Sequence, residues 1–274
     1  MGRIRIGVSG WRYPGWRGTF YPAGLPQRAE LEYAARRLTS LEINGTFYSL
    51  QRPSSFTAWR AQVPPGFVFA VKGSRFITHM KRLSTAQPLL PNYFASGILA
   101  LGPALGPVLW QLPPTLAFDE GMLRGFFEQL PRSTAQAARL ASEHDERVPA
   151  DRALTVAEQD RPLRHALEVR HPSWGDEAAQ VCREYEVALV VADTGGRWPA
   201  FTEPTVPTTD LMYLRLHGPA ELYASGYTDR GLAGWADRIR RWAAAGLDVY
   251  CYFDNDAKAY APRDAMRLRA ILGV

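Results

Sequence analysis

Short β-type runs recur eight times along 274 residues, and most are followed by a stretch with helical periodicity. The runs fall near residues 3–9, 40–46, 67–74, 107–112, 165–171, 187–193, 212–218 and 248–254. Helical patterns fill most of the gaps, at 28–38, 54–62, 119–130, 176–185, 232–245 and 263–272. Pro26 and Pro262 suit first helical turns, where proline is tolerated. Gly66 and Gly246 suit the turns leading back into strands. Strand and helix alternating in this way is the order of an α/β protein of the (β/α)8 TIM-barrel type. A doubly wound open sheet is the alternative, but it wants a glycine-rich phosphate loop entering a helix. Here Gly7-Val-Ser-Gly10 runs into aromatic residues instead. The barrel is expected to be irregular. The connection 193–210 is rich in Gly, Pro and Thr, so one outer helix is missing after strand 6. The stretch 132–164 is longer than one connection needs, which predicts an extra helix near 135–144, between strands 4 and 5. No linker or repeat divides the chain, so residues 1–274 read as one domain.

In a barrel, alternate strand residues point to the centre and the others meet the helices. Leu41 and Ile43 belong outside, which turns Glu42, Asn44 and Thr46 inward. The same parity turns Ser9, Lys72, Ser74, Gln111, Glu168, Arg170, Asp193, Arg215, His217, Tyr252 and Asp254 inward. Nearly every strand therefore ends in a polar inward residue, at the end where barrel enzymes place their chemistry. A buried web of ion pairs, such as Glu42 with Lys72 and Glu168 with Arg215, explains any one pair. It strains for the whole set, because a buried pair often fails to repay its desolvation. A solvent-reachable mouth that hosts a ligand is the expectation, with Glu42 and Lys72 among the residues that bind it and a supporting strut between those two as the alternative.

Composition narrows the partners. The formal net charge is +5 and the pI about 9.3, carried almost wholly by arginine, since lysine occurs only at 72, 81 and 258. No block of like charge suggests a nucleic-acid tail. No apolar run reaches the length of a membrane span, and the N-terminal residues show no signal-peptide features. Cys182 and Cys251 are far apart and lack ligand spacing, which points to a reduced, cytoplasmic protein.

Seven motifs carry a resemblance. They are Ser9-Gly-Trp11-Arg-Tyr13-Pro-Gly-Trp16 with Phe20-Tyr-Pro22, Leu41-Glu-Ile-Asn-Gly-Thr-Phe-Tyr48, Lys72-Gly-Ser-Arg75-Phe-Ile-Thr-His79, Gln111-Leu-Pro-Pro114, Glu168-Val-Arg-His-Pro-Ser-Trp174, Arg215-Leu-His-Gly218 and Tyr252-Phe-Asp-Asn-Asp256. In this order, over essentially the whole chain, they resemble the YecE-like family, a domain of unknown function. The resemblance implies a TIM-type barrel and, by fold analogy alone, a place near sugar-isomerase-like barrels. Where the family pattern has Asn-Asn in the last motif, this chain has Asp254-Asn255, which adds a carboxylate.

The inward set suggests chemistry. Arg75, Arg170 and Arg215, with Lys72 and His79, suit phosphate or carboxylate oxygens. Among the acids Glu42, Glu168, Asp193, Asp254 and Asp256, Glu168 with His217 or Asp193 is the expected proton-moving group. Asn44, Gln111 and Asp254 complete the polar lining. Of the aromatic loop residues Trp11, Tyr13, Trp16, Tyr48, Trp174, Tyr223 and Tyr227, the expected stacking wall is Trp11, Trp174 and Tyr227. His171 has outward parity and reads as structural, and 218–231 reads as a lid. No cofactor is implied. Glu168, Asp193, His217 and Asp254 form a weak candidate set for a divalent metal, although Arg170 and Arg215 would crowd a cation. The expected function is acid/base hydrolysis or isomerisation of a small anionic, sugar-like or phosphorylated substrate. The alternatives are a metal-dependent phosphodiesterase acting on nucleic acid, and a non-catalytic module that binds an anionic ligand. No membrane partner is expected.

Overall fold

The computed structural model describes residues 1–84 and 88–274. One sheet holds β1 (Ile4–Ser9), β2 (Ser40–Ile43), β3 (Val68–Lys72), β4 (Leu105–Gln111), β5 (His165–Glu168), β6 (Ala188–Leu189), β7 (Val191–Asp193), β8 (Leu211–Leu216) and β9 (Asp248–Phe253). Their order is β6-β5-β4-β3-β2-β1-β9-β8-β7, and every pairing is parallel. β6 and β7 are two halves of the sixth expected strand, parted at Val190. β6 pairs with β5 and β7 with β8, so this one segment brings the sheet round into a nearly closed α/β barrel.

The helices are α1 (Glu30–Ala35), α2 (Gly45–Tyr48), α3 (Pro53–Ala61), α4 (Leu89–Ala95), α5 (Glu120–Glu128), α6 (Thr134–Ala141), α7 (Asp176–Glu184), α8 (Asp229–Ala244) and α9 (Tyr260–Leu272). Side-chain caps start three of them: Asp119, Ser133 and Thr228 each accept an N–H from the first turn. α6 is the extra helix between β4 and β5, and among the described residues no helix forms between β7 and β8. α4 had no amphipathic signal, because its residues from Leu90 to Ala95 are all buried and leave no polar face to mark a period.

Apolar residues split into two layers, as the parity predicts except in the sixth strand, where Ala188 and Val190 pack inside and Val191 outside, so that Asp193 takes the outward parity. Ala70, Leu109, Ala166, Ala188, Val190, Leu211, Tyr213, Tyr250 and Tyr252 pack inside the barrel. A larger cluster, including Leu41, Ile43, Val71, Trp110, Leu167 and Leu214, packs between sheet and helices. Parallel register sets Ser9 beside Glu42 and Gln111 beside Glu168, which gathers the polar inward residues at the C-terminal ends. The strands are shorter than their alternating patterns. Asn44, Arg170, His217 and Asp254 lie just past strand ends, where the backbone is free to leave the ladder.

Gly73 shows how tightly the outer layer closes. A Cβ there would lie 2.3 Å from the Trp110 ring. That ring cannot retreat easily, because its Nε1 donates to His165 Nδ1 at 3.1 Å and its face meets the edge of Phe126. Gly73→Ala is therefore expected to cost about 1–3 kcal/mol through overpacking. Urea denaturation checks this, and an unchanged midpoint would mean that the ring is free to shift. Among the described residues, no helix is long and apolar enough to cross a membrane.

Candidate active site at the barrel mouth

Arg215, on β8, occupies the centre of the inner polar layer. Its Nη1 donates to Glu168 Oε2 at 2.7 Å, and its Nη2 to Glu42 Oε1 at 2.9 Å, Asp254 Oδ2 at 3.1 Å and Ser9 Oγ at 2.9 Å. Its Nε donates to Glu42 Oε2 at 3.2 Å. Glu42 also accepts from the Ser9 and Tyr213 hydroxyls, each at 2.7 Å. The side chains of Arg215 and Glu168 are 1% exposed, and that of Glu42 is 0% exposed. This is a sealed web of ion pairs, so the sequence argument against such a web fails here. Three carboxylates share one guanidinium fork, two hydroxyls add to Glu42, and Arg170 adds to Glu168, which meets the condition under which burial is tolerated. Two expectations are corrected. Arg215 has all three of its guanidinium nitrogens engaged and offers nothing to a ligand anion. Glu42 is paired with Arg215 rather than with Lys72, and lies beneath the mouth.

Above this floor the side chains reach the surface. Arg170 donates through Nε to Glu168 Oε1 at 2.7 Å, its Nη2 lies 2.7 Å from the same oxygen as an ion pair, and its guanidinium stacks 3.8 Å from the Trp198 ring centroid. Burial would raise the Glu168 pKa, but Arg170 and Arg215 outweigh it and hold this carboxyl well below the usual range. An anion so stabilised is a weak base, so the proton-moving role expected of Glu168 is poorly served. His217 is buried edge-on to Trp198 and Tyr223. Its Nδ1 lies 3.0 Å from Asp254 Oδ2 and its Nε2 3.8 Å from Glu168 Oε1, yet among the described residues neither nitrogen has an aligned hydrogen-bond partner.

A second carboxyl pair stands at the end of β9. Burial opposes ionisation of Asp254, but Arg215 and His217 reverse the balance and keep it well below the usual range. Asp256 goes the other way: burial and the negative charge of Asp254 push its pKa well above the usual range. Among the described residues Asp256 Oδ1 is buried without a hydrogen-bond partner. Asp254 keeps 12% of its side chain open. Asp256 has the same strand parity as Asp254, a signal that the sequence held and that the expected site left unused.

Lys72, at the end of β3, faces the same mouth. Its ammonium lies 4.4 Å from the Phe47 ring centroid. Burial and then the charge of Arg215 lower its pKa to about 8. His79 sits edge-on to Phe47, and its Nδ1 meets the Thr78 hydroxyl at 2.9 Å. Burial, then Lys72, Arg170 and Arg75, lower its pKa to about 4, which makes it neutral at pH 7. Arg75 is exposed. Asn44 donates to Ser9 Oγ at 2.7 Å, and its own Oδ1 is buried with no hydrogen-bond partner among the described residues. Gln111 is buried and donates to Leu112 O.

Several expected site residues lie elsewhere. Asp193 accepts from the Tyr227 hydroxyl at 3.0 Å and is turned from the Arg215 web. Tyr227 is itself buried edge-on to Phe253. Trp174 is buried against Phe118 and donates to Leu116 O at 2.8 Å, so it is loop core. Trp11 is buried edge-on to Trp59, although it borders a side cavity of about 350 Å³ with Arg12, Asn44, Tyr48 and Gln51. Rings at the mouth come instead from Phe47, Trp198 and Tyr223. Trp198 lies in the connection without periodicity, where no sequence pattern marks a direction. The candidate metal donors do not fit an ion either. Arg215 stands between Glu168 and Asp254, Asp193 faces away, and no group of three or more such ligands gathers among the described residues.

The family model "Protein of unknown function DUF72" matches residues 5–274. The chain belongs to the DUF72 family. The UPF0759 protein YecE of Escherichia coli K12 is 31% identical to it over 129 residues, which are 47% of this chain and 44% of that protein. This chain thus spans less than half the length of the curated relatives it matches. A DUF72 family protein from Thermotoga maritima MSB8 superposes with a TM-score of 0.75 at 23% identity, covering 99% of this chain and 100% of that one. A DUF72 family protein from Enterococcus faecalis V583 gives 0.71 at 16% identity, covering 99% and 96%. A D-psicose 3-epimerase crystallised with D-fructose gives 0.54 at 11% identity, covering 98% and 100%, a likeness of fold alone.

Proposed function

We propose that the mouth of this DUF72 barrel is the active site of an enzyme that moves protons on a small anionic, sugar-like molecule, giving isomerisation or hydrolysis. One observation carries the reading: Asp254 and Asp256 are adjacent carboxyls whose pKa values are driven apart. Such a split holds one carboxyl ionised beside one that favours its proton, and the second, Asp256, is the group suited to give up a proton and take one back. Structural ion-pair webs also shift pKa values, but the Asp256 carboxyl is raised well above its usual range and, among the described residues, has no salt-bridge partner of its own, which a web does not require.

The cations around the pair support an anionic substrate. With Arg215 spent, Lys72 and Arg75 are the groups left to meet it, together with the Arg170 edge not bound to Glu168. Trp198, one face of which carries the Arg170 guanidinium, and Tyr223 supply aromatic surface of the kind a sugar packs against. The likeness to D-psicose 3-epimerase concerns the fold and does not choose a substrate. The metal-dependent reading on nucleic acid finds no support, since a guanidinium fills the space between the acids.

The test is a panel of phosphorylated and carboxylated aldoses and ketoses incubated with the protein in D2O and followed by NMR. At least one member is expected to gain solvent deuterium or to be cleaved. Saturable binding with neither outcome across the panel would replace the enzyme with a ligand-binding module.

A further inference from the structure

We infer that Lys72 is a carbonyl-capturing nucleophile, whose side-chain amine forms an imine with an aldehyde or ketone group of the anionic substrate. The inference rests on the proposed acid/base site and names its substrate class.

Four observations support it. Of 32 basic residues only three are lysines, and one of these stands inside the barrel. A guanidinium holds its proton at any pH proteins meet and cannot attack a carbonyl, whereas a desolvated lysine can. Lys72 is also unlike its charged neighbours. Arg215 and Arg170 each sit 2.7 Å from a carboxylate oxygen, while among the described residues no carboxylate lies within ion-pair distance of Lys72 Nζ. A strut would be expected to make such a contact. Its backbone is pinned, because its carbonyl accepts from the Thr46 hydroxyl at 2.6 Å and the Tyr93 hydroxyl at 3.3 Å. The ammonium lies over the Phe47 ring and the residue as a whole is 8% exposed, so the amine is desolvated without the residue being fully sealed. Finally, its pKa of about 8 leaves a share of the amine neutral near physiological pH.

The step balances within the site. Neutral Nζ adds to the carbonyl carbon, and the carbonyl oxygen takes up a proton as Nζ loses one, giving a carbinolamine. A second proton, from the protonated carboxyl of Asp256, lets that hydroxyl leave as water. The product is a protonated imine that withdraws electrons from the adjacent carbon, and carboxylate Asp256 is then a base for the proton there.

The experiment is borohydride trapping. The protein is incubated with glycolaldehyde phosphate or pyruvate, reduced, and peptide-mapped by mass spectrometry. A single adduct is expected on Lys72, with its yield rising as pH passes about 8. Lys81 and Lys258 are exposed and serve as internal controls. Because the wild-type map locates the adduct, the result stands even if Lys72→Arg folds poorly. Where that variant folds, the adduct should be lost. Adducts confined to Lys81 and Lys258, alongside deuterium exchange that survives in Lys72→Arg, would overturn the imine and leave the proposed acid/base site standing. Absence of both trapping and exchange would remove both.

Discussion

Replacing Arg215 by methionine is expected to cost about 3–5 kcal/mol of folding stability at neutral pH. The substitution keeps most of the side-chain volume, so the loss is electrostatic. It strips donors from Glu42, Glu168 and Asp254 at once and leaves them in a region with almost no solvent. The pH dependence separates charge from packing. Glu168 and Asp254 have folded pKa values well below those of free carboxylates. In the wild type, their stabilisation is present above the unfolded value of about 4 and is lost only as pH falls through the depressed folded values. Without Arg215 both values climb, and protonation relieves the repulsion. The gap between variant and wild type should therefore be widest at neutral pH and narrow on acidification. Urea midpoints across that range measure it. A gap independent of pH would assign the effect to packing. Adding Glu168→Gln to the Arg215 variant should recover part of the loss, since one orphaned charge is then gone.

The barrel was legible because two periods agree along the chain. Alternation set Leu41 and Ile43 outward and Glu42 inward, and the layers of the structure follow that division. Parity also named the members of the polar layer. What parity cannot carry is pairing. It places Lys72, Arg170 and Arg215 at one end of the barrel, but it does not say which guanidinium three carboxylates will share. That choice depends on side-chain reach across the barrel, from β8 to β2 and β5. The aromatic wall failed for a different reason. Trp174 and Tyr227 lie in loops, where no period fixes direction, and each found a buried hydrogen bond that turned it into loop core. Trp198, which does flank the mouth, lies in a stretch with the same lack of period.

Asp256→Asn is expected to lower turnover by about 10²–10⁴-fold while raising stability at neutral pH. The two effects have one cause. In the unfolded chain the Asp256 carboxyl ionises near pH 4, but in the fold burial and the charge of Asp254 push its pKa well above that. Folding must then take up a proton, so this residue lowers stability increasingly as pH rises above about 4, until the folded pKa is reached. Asparagine has the same shape and takes up no proton, so the penalty disappears together with the acid. Below that range the two proteins should be equally stable. Asp254→Asn supplies the contrast. Its carboxylate is ionised and bound to Arg215, so its loss should destabilise the barrel at neutral pH. Paired thermal melts at neutral and acid pH, with deuterium exchange on the responsive panel member, test both halves. If both substitutions destabilise at neutral pH, Asp256 is not held protonated and cannot be the acid. If Asp256→Asn stabilises and exchange continues unchanged, the strain is present but the chemistry lies elsewhere. Only a gain in stability joined to a loss of turnover fits a carboxyl kept in a costly protonation state for use in catalysis.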